Sequence, residues 1–286
     1  TIDPSDPLKL SEEEEELLHT LTLSFCHSAL LHKHIKFLYS NGSMYKCCNS
    51  NLLYHGCIPM KEDGSFDEMA VNGKAYKGRA LMDFIDKQVK KAYFLPDQDP
   101  EKEASRDFMW YLWTGKKSPL CGRNIKTFER TFIQDKTAWK EPTDPYYKFY
   151  HTEKTCNMIL REFGLFSPLS HIINGHTPVK TVEGEEPVRA NGKLIVIDGG
   201  FSQAYHKTTG IAGYTLIYNS HGMRIKAHQP FESVEKVLEE NKDIESTSTM
   251  FETEADRIMV GDTDEGKEIK EEIQMLKKLL EVYRGK

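Results

Sequence analysis

The stretch HIINGHTPVKTVEGEEPVRANGKLIVIDGG, residues 171–200, decides how the rest of the chain is read. It opens on an apolar strand carrying Ile172 and Ile173, stops at Asn174-Gly175 and presents His176. A loop fixed by Pro178 follows, then a second buried strand over 193–197 that ends in Asp198-Gly199-Gly200. Short continuous apolar runs bounded by Gly and Asn are the pattern of buried strands. Glycine before the histidine lets the backbone turn sharply, and a neutral imidazole at a strand end can aim a ring nitrogen into a cleft. Taken alone, a loop histidine is more often a surface residue than a metal ligand.

The same arrangement occurs a second time. Residues 52–59, LLYHGCIP, carry two leucines and Tyr54 into His55-Gly56, with Pro59 closing the segment. Two apolar strands that each expel a histidine beside a glycine favour a shared role for His55 and His176 over coincidence.

The 286 residues suffice for one large domain or two small ones with a substantial core. Hydrophobic residues at 38% and charged residues at 29% describe a globular chain. A net charge of -6 leaves no basic footprint, so no nucleic-acid partner is expected. No apolar run reaches the ~18 residues of a membrane span and no signal peptide is visible, so no membrane partner and a cytoplasmic location are expected. Cys26, Cys47, Cys48, Cys57, Cys121 and Cys156 lack CxxC spacing, which suits reduced thiols better than a disulfide framework or a zinc site. The adjacent Cys47 and Cys48 read as strand packing. The sequence starts at Thr1 rather than methionine, which raises the expectation of a processed or truncated chain.

In chain order, a Pro-containing lead (Asp3-Pro4, Asp6-Pro7) precedes a capping box of Ser11 and Glu14 and an acidic first turn. Helical spacing then predicts a helix over 11–39, with at most one break, on which His27, His32 and His34 read as solvated. Strands over 43–48 and 52–56 follow, then a polar surface loop over 61–75 and a helix over 76–94. Residues 96–103 read as a charged connection. Phe108, Trp110, Tyr111 and Trp113 flank the Gly-Lys-Lys of Lys116 and Lys117 and the Gly122-Arg123 pair. That segment fits either a wall and cationic rim for an anionic ligand or a packed edge with solvated lysines. A strand is expected over 128–133, a helix over 146–163 stopped by Gly164, and a hairpin with strands at 213–218 and 223–227. A short helix over 232–240 and a charged terminal helix from Thr263 complete the chain. The apolar stripe Ile269, Ile273, Leu276 and Leu280 on the terminal helix is expected to dock on the body. Asp262 and Asp264 fit the capping of this helix better than a metal motif.

LLYHGCIP and INGHTPVK followed by KLIVIDGG resemble the second half of a calcineurin-like metallophosphatase. The longer block ANGKLIVIDGGFSQAYHKTTGIAGYTLIYNSHG, with GSMY and LLYHGCIP upstream, is similar to the class III fructose-1,6-bisphosphatases over nearly the whole chain. The resemblance implies an α+β fold, the superfamily's four-layer α/β/β/α sandwich, here its C-terminal part. Strands at 52–55, 171–174 and 193–197 and the hairpin at 214–227 would then build most of the second sheet. The implied domain plan is an N-terminal helical segment (1–40), the C-terminal part of the metallophosphatase domain (41–231, with a helical insertion at about 76–94) and a C-terminal helical tail (232–286).

The resemblance also implies the chemistry: hydrolysis of fructose 1,6-bisphosphate to fructose 6-phosphate in gluconeogenesis, with manganese in a dinuclear site. His55 and His176 match two of the metal ligands. Arg123 first, then Lys116, Lys117 and Lys180, are the side chains suited to the substrate's phosphates. The Asp-x-His, Gly-Asp-x-x-Asp-Arg-Gly and Gly-Asn-His-Glu segments that supply the carboxylates in that superfamily do not occur in this sequence. The chain is therefore expected to be the C-terminal portion of such an enzyme, partnered by its N-terminal half, poorly active alone and open to homo-oligomerisation. If that half is absent, the second sheet should expose apolar surface. Another phosphatase of the superfamily, acting on proteins or dinucleotides, and a non-catalytic sugar-phosphate binding module remain the alternatives.

Overall fold

The computed structural model describes residues 5–6, 9–211, 213–231, 233–241, 246–253 and 256–285. Thr1, the Pro4 and Pro7 lead and Glu232 lie outside the described residues. Two helices open the chain, α1 (Glu12–Cys26) and α2 (Ala29–Asn41). Ser11 and Glu14 form the expected reciprocal cap. Ser28 accepts from the Leu31 amide at 3.3 Å, so a second cap divides the helical stretch.

Two hairpins follow: β1 (Lys46–Cys48) with β2 (Asn51–Leu53), and β3 (Met69–Val71) with β4 (Lys74–Tyr76). The second lies inside the stretch expected to be loop. Its Asn72-Gly73 turn, both residues at positive φ, is the backbone that a two-residue hairpin needs. Helices α3 (Gly78–Phe94) and α4 (Pro100–Thr114) pack on that hairpin around Met69, Leu81, Ile85 and Leu112, a second small core. Next comes α5 (Thr127–Phe132), a helix where a strand was expected. Phe128 and Phe132 stack at 6.4 Å and Lys126 pairs with Glu129 at 2.7 Å, contacts that helical spacing alone provides. The helix expected over 146–163 is two, α6 (Tyr146–Phe149) and α7 (Glu153–Glu162), because Thr152 caps the second through the Thr155 amide.

The main sheet is completed by β5 (His171–Asn174), β6 (Val188–Arg189) and β7 (Leu194–Val196). Its order is β1-β2-β5-β7-β6. The central strands β2, β5 and β7 run parallel, with Leu52 opposite Ile172 and Ile172 opposite Leu194. Both outer strands, β1 and β6, pair antiparallel. Leu52, Ile172, Leu194 and Ile195 are buried, joined by Ile58, Tyr146, Ile159 and Leu160 in the main core. The expected bare face on the central strands is therefore not found, whereas α1, α2 and the last helix expose many apolar side chains. Cys47 and Cys48 are exposed on the edge strand β1 rather than packed. All six cysteines are free.

After α8 (His206–Thr209), β8 (Gly213–Asn219) and β9 (Gly222–His228) form the expected hairpin. It does not join the main sheet, because β6 already occupies the free edge of β7. Beyond α9 (Val234–Glu240), β10 (Ser246–Thr253) pairs with the outer edge of β9 to give a separate three-stranded sheet. The chain ends in α10 (Asp264–Tyr283), capped by Thr263 through the Gly266 amide. Asp264 accepts from the Asn49 amide at 2.6 Å, and its own amide donates to the Asn49 side chain at 2.9 Å. That first turn is the anchor: from Lys267 onward every described residue of α10 is exposed, so the expected docking of its stripe on the body does not occur. The fold is α+β, and among the described residues no helix is long and apolar enough to cross a membrane.

Candidate active site at the carboxyl ends of three parallel strands

Parallel strands align their carboxyl ends along one rim, where ligand sites of open sheets gather. His55, His176 and Asp198 each follow their strand, β2, β5 and β7, by two residues. Main-chain bonds continue past the strands and lock the rim: Gly175 donates to the His55 carbonyl at 3.1 Å, Ile197 to Asn174 at 3.0 Å and Val179 to Asp198 at 2.8 Å.

The two histidines meet. His55 Nε2 lies 3.2 Å from His176 Nδ1, with the rings edge to face at 5.1 Å between centroids. A side chain at Gly175 would stand 3.6 Å from Asp198 Cβ and 3.7 Å from His55 Nδ1, so glycine leaves the space between them open. His176 itself has φ +69°, a conformation few non-glycine residues adopt and one that recurs at functional sites. Its Nε2 is buried with no hydrogen-bond partner. Burial holds the His176 imidazole below its ordinary pKa, helped by His55 and by Arg123. Asp198 and the Cys121 main chain oppose the shift.

A buried network lies directly beneath. The Tyr146 hydroxyl is 2.8 Å from that of Tyr54 and accepts from Asn174 Nδ2 at 3.1 Å. Tyr54 precedes His55 and Asn174 precedes Gly175-His176, so one fully buried phenol braces both strand ends. Asp144 fixes Tyr146 in turn, accepting from the Tyr146 amide at 2.8 Å and the Met60 amide at 3.0 Å. Burial raises the Asp144 carboxyl pKa, against the pull of those two amides.

The loop after α4 crosses over His55. At Gly56 a Cβ would sit 2.2 Å from the Pro119 carbonyl oxygen, and the Cys57 amide donates to that same oxygen at 2.9 Å. Gly122, at φ +59°, packs with no room to spare on Cys57 Sγ and Tyr147. These two contacts seat Arg123, half-buried, within electrostatic reach of His176. Its guanidinium is held loosely, 3.8 Å from a Glu141 carboxylate that also takes Arg130 at 3.4 Å.

The other expected phosphate ligands fare differently. Lys116 is exposed on the same loop, and its charge reaches the buried Asp144. Lys117 is bound to Asp67 at 2.9 Å and to the Glu68 carbonyl at 2.8 Å. Lys180 is bound to Glu183 at 3.1 Å. The aromatic segment divides: Phe108 and Tyr111 pack on the second core, whereas the exposed Trp110 stacks on Phe128 at 6.2 Å and the exposed Trp113 meets it edge to face at 6.0 Å. Asp198 is the residue that sequence reasoning missed, although its offset from its strand equals those of the histidines.

Two nitrogens bound to one ion at about 2.1 Å each stand about 3.0–3.4 Å apart. The spacing between His55 Nε2 and His176 Nδ1, which lie within hydrogen-bond distance of each other, also fits two ligands of a single ion. No group of three or more His, Cys, Asp or Glu side chains is placed to hold a metal among the described residues.

Residues 1–285 match the family described as Firmicute fructose-1,6-bisphosphatase. A class 3 fructose-1,6-bisphosphatase of Clostridium tetani is 54% identical over 285 residues, covering 99% of this chain and 43% of the relative. Its counterpart in Alkaliphilus metalliredigens is 52% identical over 288 residues, covering 100% of this chain and 43% of the relative. That of Bacteroides thetaiotaomicron is 50% identical over 285 residues, covering 99% and 43%. The chain thus spans less than half the length of the curated relatives it matches. No solved structure matches it.

Proposed function

The chain belongs to the Firmicute fructose-1,6-bisphosphatase family, and from that premise we propose that it forms the C-terminal part of an enzyme that hydrolyses fructose 1,6-bisphosphate to fructose 6-phosphate and phosphate in gluconeogenesis. The observation that carries this reading is the pair of imidazoles, 3.2 Å apart at the carboxyl ends of adjacent parallel strands. Arg123 is seated beside it by Gly56 and Gly122.

We assign His55 and His176 as ligands to a divalent ion, manganese by the pattern of the resemblance. When bound, such an ion lowers the pKa of a water and offsets phosphoryl charge. Burial and neighbouring positive charge keep His176 neutral, the state in which an imidazole can ligate. The planar fork of Arg123 can take two phosphoryl oxygens, and its loose pairing with Glu141 costs little to break. Lys116 offers a second cation from the same loop. Lys117 and Lys180 would first have to leave their carboxylates.

Two imidazoles with at most the one nearby carboxylate of Asp198 hold a metal weakly. The oxygen ligands of the dinuclear site, and the completion of a four-layer sandwich, therefore fall to the N-terminal half of the same enzyme, and the isolated chain is expected to be inactive. Six free cysteines suit a cytoplasmic setting. The test is calorimetric titration of manganese into the chain. Weak binding is expected, lost in His55→Ala and in His176→Ala with the fold retained. Binding unchanged in both variants would overturn the assignment.

A further inference from the structure

Helix α10 projects from the body for most of its length. It is fastened near its start, by Asn49, by Gly266 packed against the Val260 carbonyl and by the Lys270 side chain on the Gly261 carbonyl. Large apolar residues nonetheless continue along it: Ile269, Ile273, Leu276 and Leu280 are 43%, 45%, 63% and 45% exposed, and Tyr283 follows. Their spacings, four, three, four and three, are those of a coiled-coil seam, and here the body leaves them uncovered. In heptad terms Ile269, Leu276 and Tyr283 are the d positions, and Ile273 and Leu280 the a positions. The charges flanking that seam are sorted. Glu265 and Glu272 occupy g, and Lys270, Lys277 and Arg284 occupy e.

From this geometry we infer that α10 is a parallel, two-stranded coiled-coil arm that pairs with α10 of a second copy of this chain. In a parallel pair each g residue meets the e residue five positions on in its partner. Glu272 then faces Lys277 and Glu265 faces Lys270, twice over by symmetry. The antiparallel arrangement sets e against e and g against g, lysine against lysine and glutamate against glutamate. The pattern thus matches itself in one orientation and register, which is why a second copy is the occupant. Lys270 already donates to the Gly261 carbonyl at 2.6 Å. Glu272 and Lys277 have no ion-pair partner among the described residues, and they form the pair to test. Leu279 and Val282, also exposed, widen the strip toward its end. The inference does not depend on the proposed phosphatase activity.

Sedimentation equilibrium of the chain over a dilution series reads it directly. The mass should rise from 32.9 kDa toward twice that value with concentration. Leu276→Glu should hold it at the single-chain mass. Glu272→Lys and Lys277→Glu, each placing like charges face to face, should each weaken association about tenfold. Mixing those two variants should restore it, because opposite charges then face each other only between unlike chains. All these positions are exposed, and circular dichroism checks that the fold is retained. A wild-type chain that stays at single-chain mass would overturn the inference and leave α10 for another part of the enzyme. Association unaffected by either charge variant, or not regained in the mixture, would overturn it too, by placing the interface elsewhere or in the other orientation.

Discussion

Tyr146 touches neither histidine, yet its hydroxyl ties together the segments that end in both. Replacing it with phenylalanine keeps the ring and its packing while leaving Asn174 Nδ2 and the Tyr54 hydroxyl without their partner in the core. Asn174 Oδ1 is already unpaired, so the site has little reserve. Tyr146→Phe should cost about 1–3 kcal/mol in urea unfolding. Manganese affinity should fall with it, whereas a purely structural role would leave affinity in the folded fraction untouched. His55 and His176 were legible in the sequence, each marked by a glycine at a strand end. Their meeting was not, because it depends on the parallel register of strands whose histidines lie 121 positions apart. Asp198 carries the same mark, a strand end followed by glycine, whereas Tyr146 carries none. The lysines show the opposite limit: a sequence displays charges but not their engagements, and Asp67 reaches Lys117 only through the fold.

At the scale of elements, the site depends on one crossing: the loop of residues 115–123 laid over the end of β2. Glycine at position 56 permits it, and the obstacle to any larger residue is main chain, with the Leu120 carbonyl at 2.6 Å behind that of Pro119. Backbone cannot rotate aside as a side chain can. Gly56→Ala should therefore lift the loop, break the bond from the Cys57 amide and cost about 2–4 kcal/mol in thermal unfolding. Inorganic phosphate titrated by NMR should cease to perturb Arg123 in this variant. An unchanged melting temperature would show that the loop does not rest there. Element types were mostly readable where periodicity ran long, as in α1 to α3, and where turn chemistry was strong, as in the β8–β9 hairpin. They failed where segments were short. The run from Phe128 to Ile133 satisfies a strand pattern, and only its stacking on Trp110 shows why it coils. Strand β10 owes its conformation to the edge of β9 and has no signature of its own.

For the whole molecule, the central question is what a chain with two well-placed imidazoles and one neighbouring carboxylate, Asp198, can do. Its core is closed, with β2, β5 and β7 buried, and among the described residues no group of three or more His, Cys, Asp or Glu side chains is placed to hold a metal. Open apolar surface is concentrated on the first two helices, with Leu17, Leu21 and Phe25 on α1 and Leu30, Phe37 and Leu38 on α2 all exposed. A missing half should therefore dock against those helices and bring oxygen ligands to the rim where His55, His176 and Asp198 converge. Hydrolysis of fructose 1,6-bisphosphate should appear only when this chain is combined with the remaining portion of a full-length relative in the presence of manganese. Leu21→Lys on α1 should impair that reconstitution without altering manganese binding by the isolated chain, whereas His176→Ala should abolish both. Hydrolysis by the chain alone at the rate of the combined parts would mean that the carboxylates are not needed, and the division of ligands between two halves would fall.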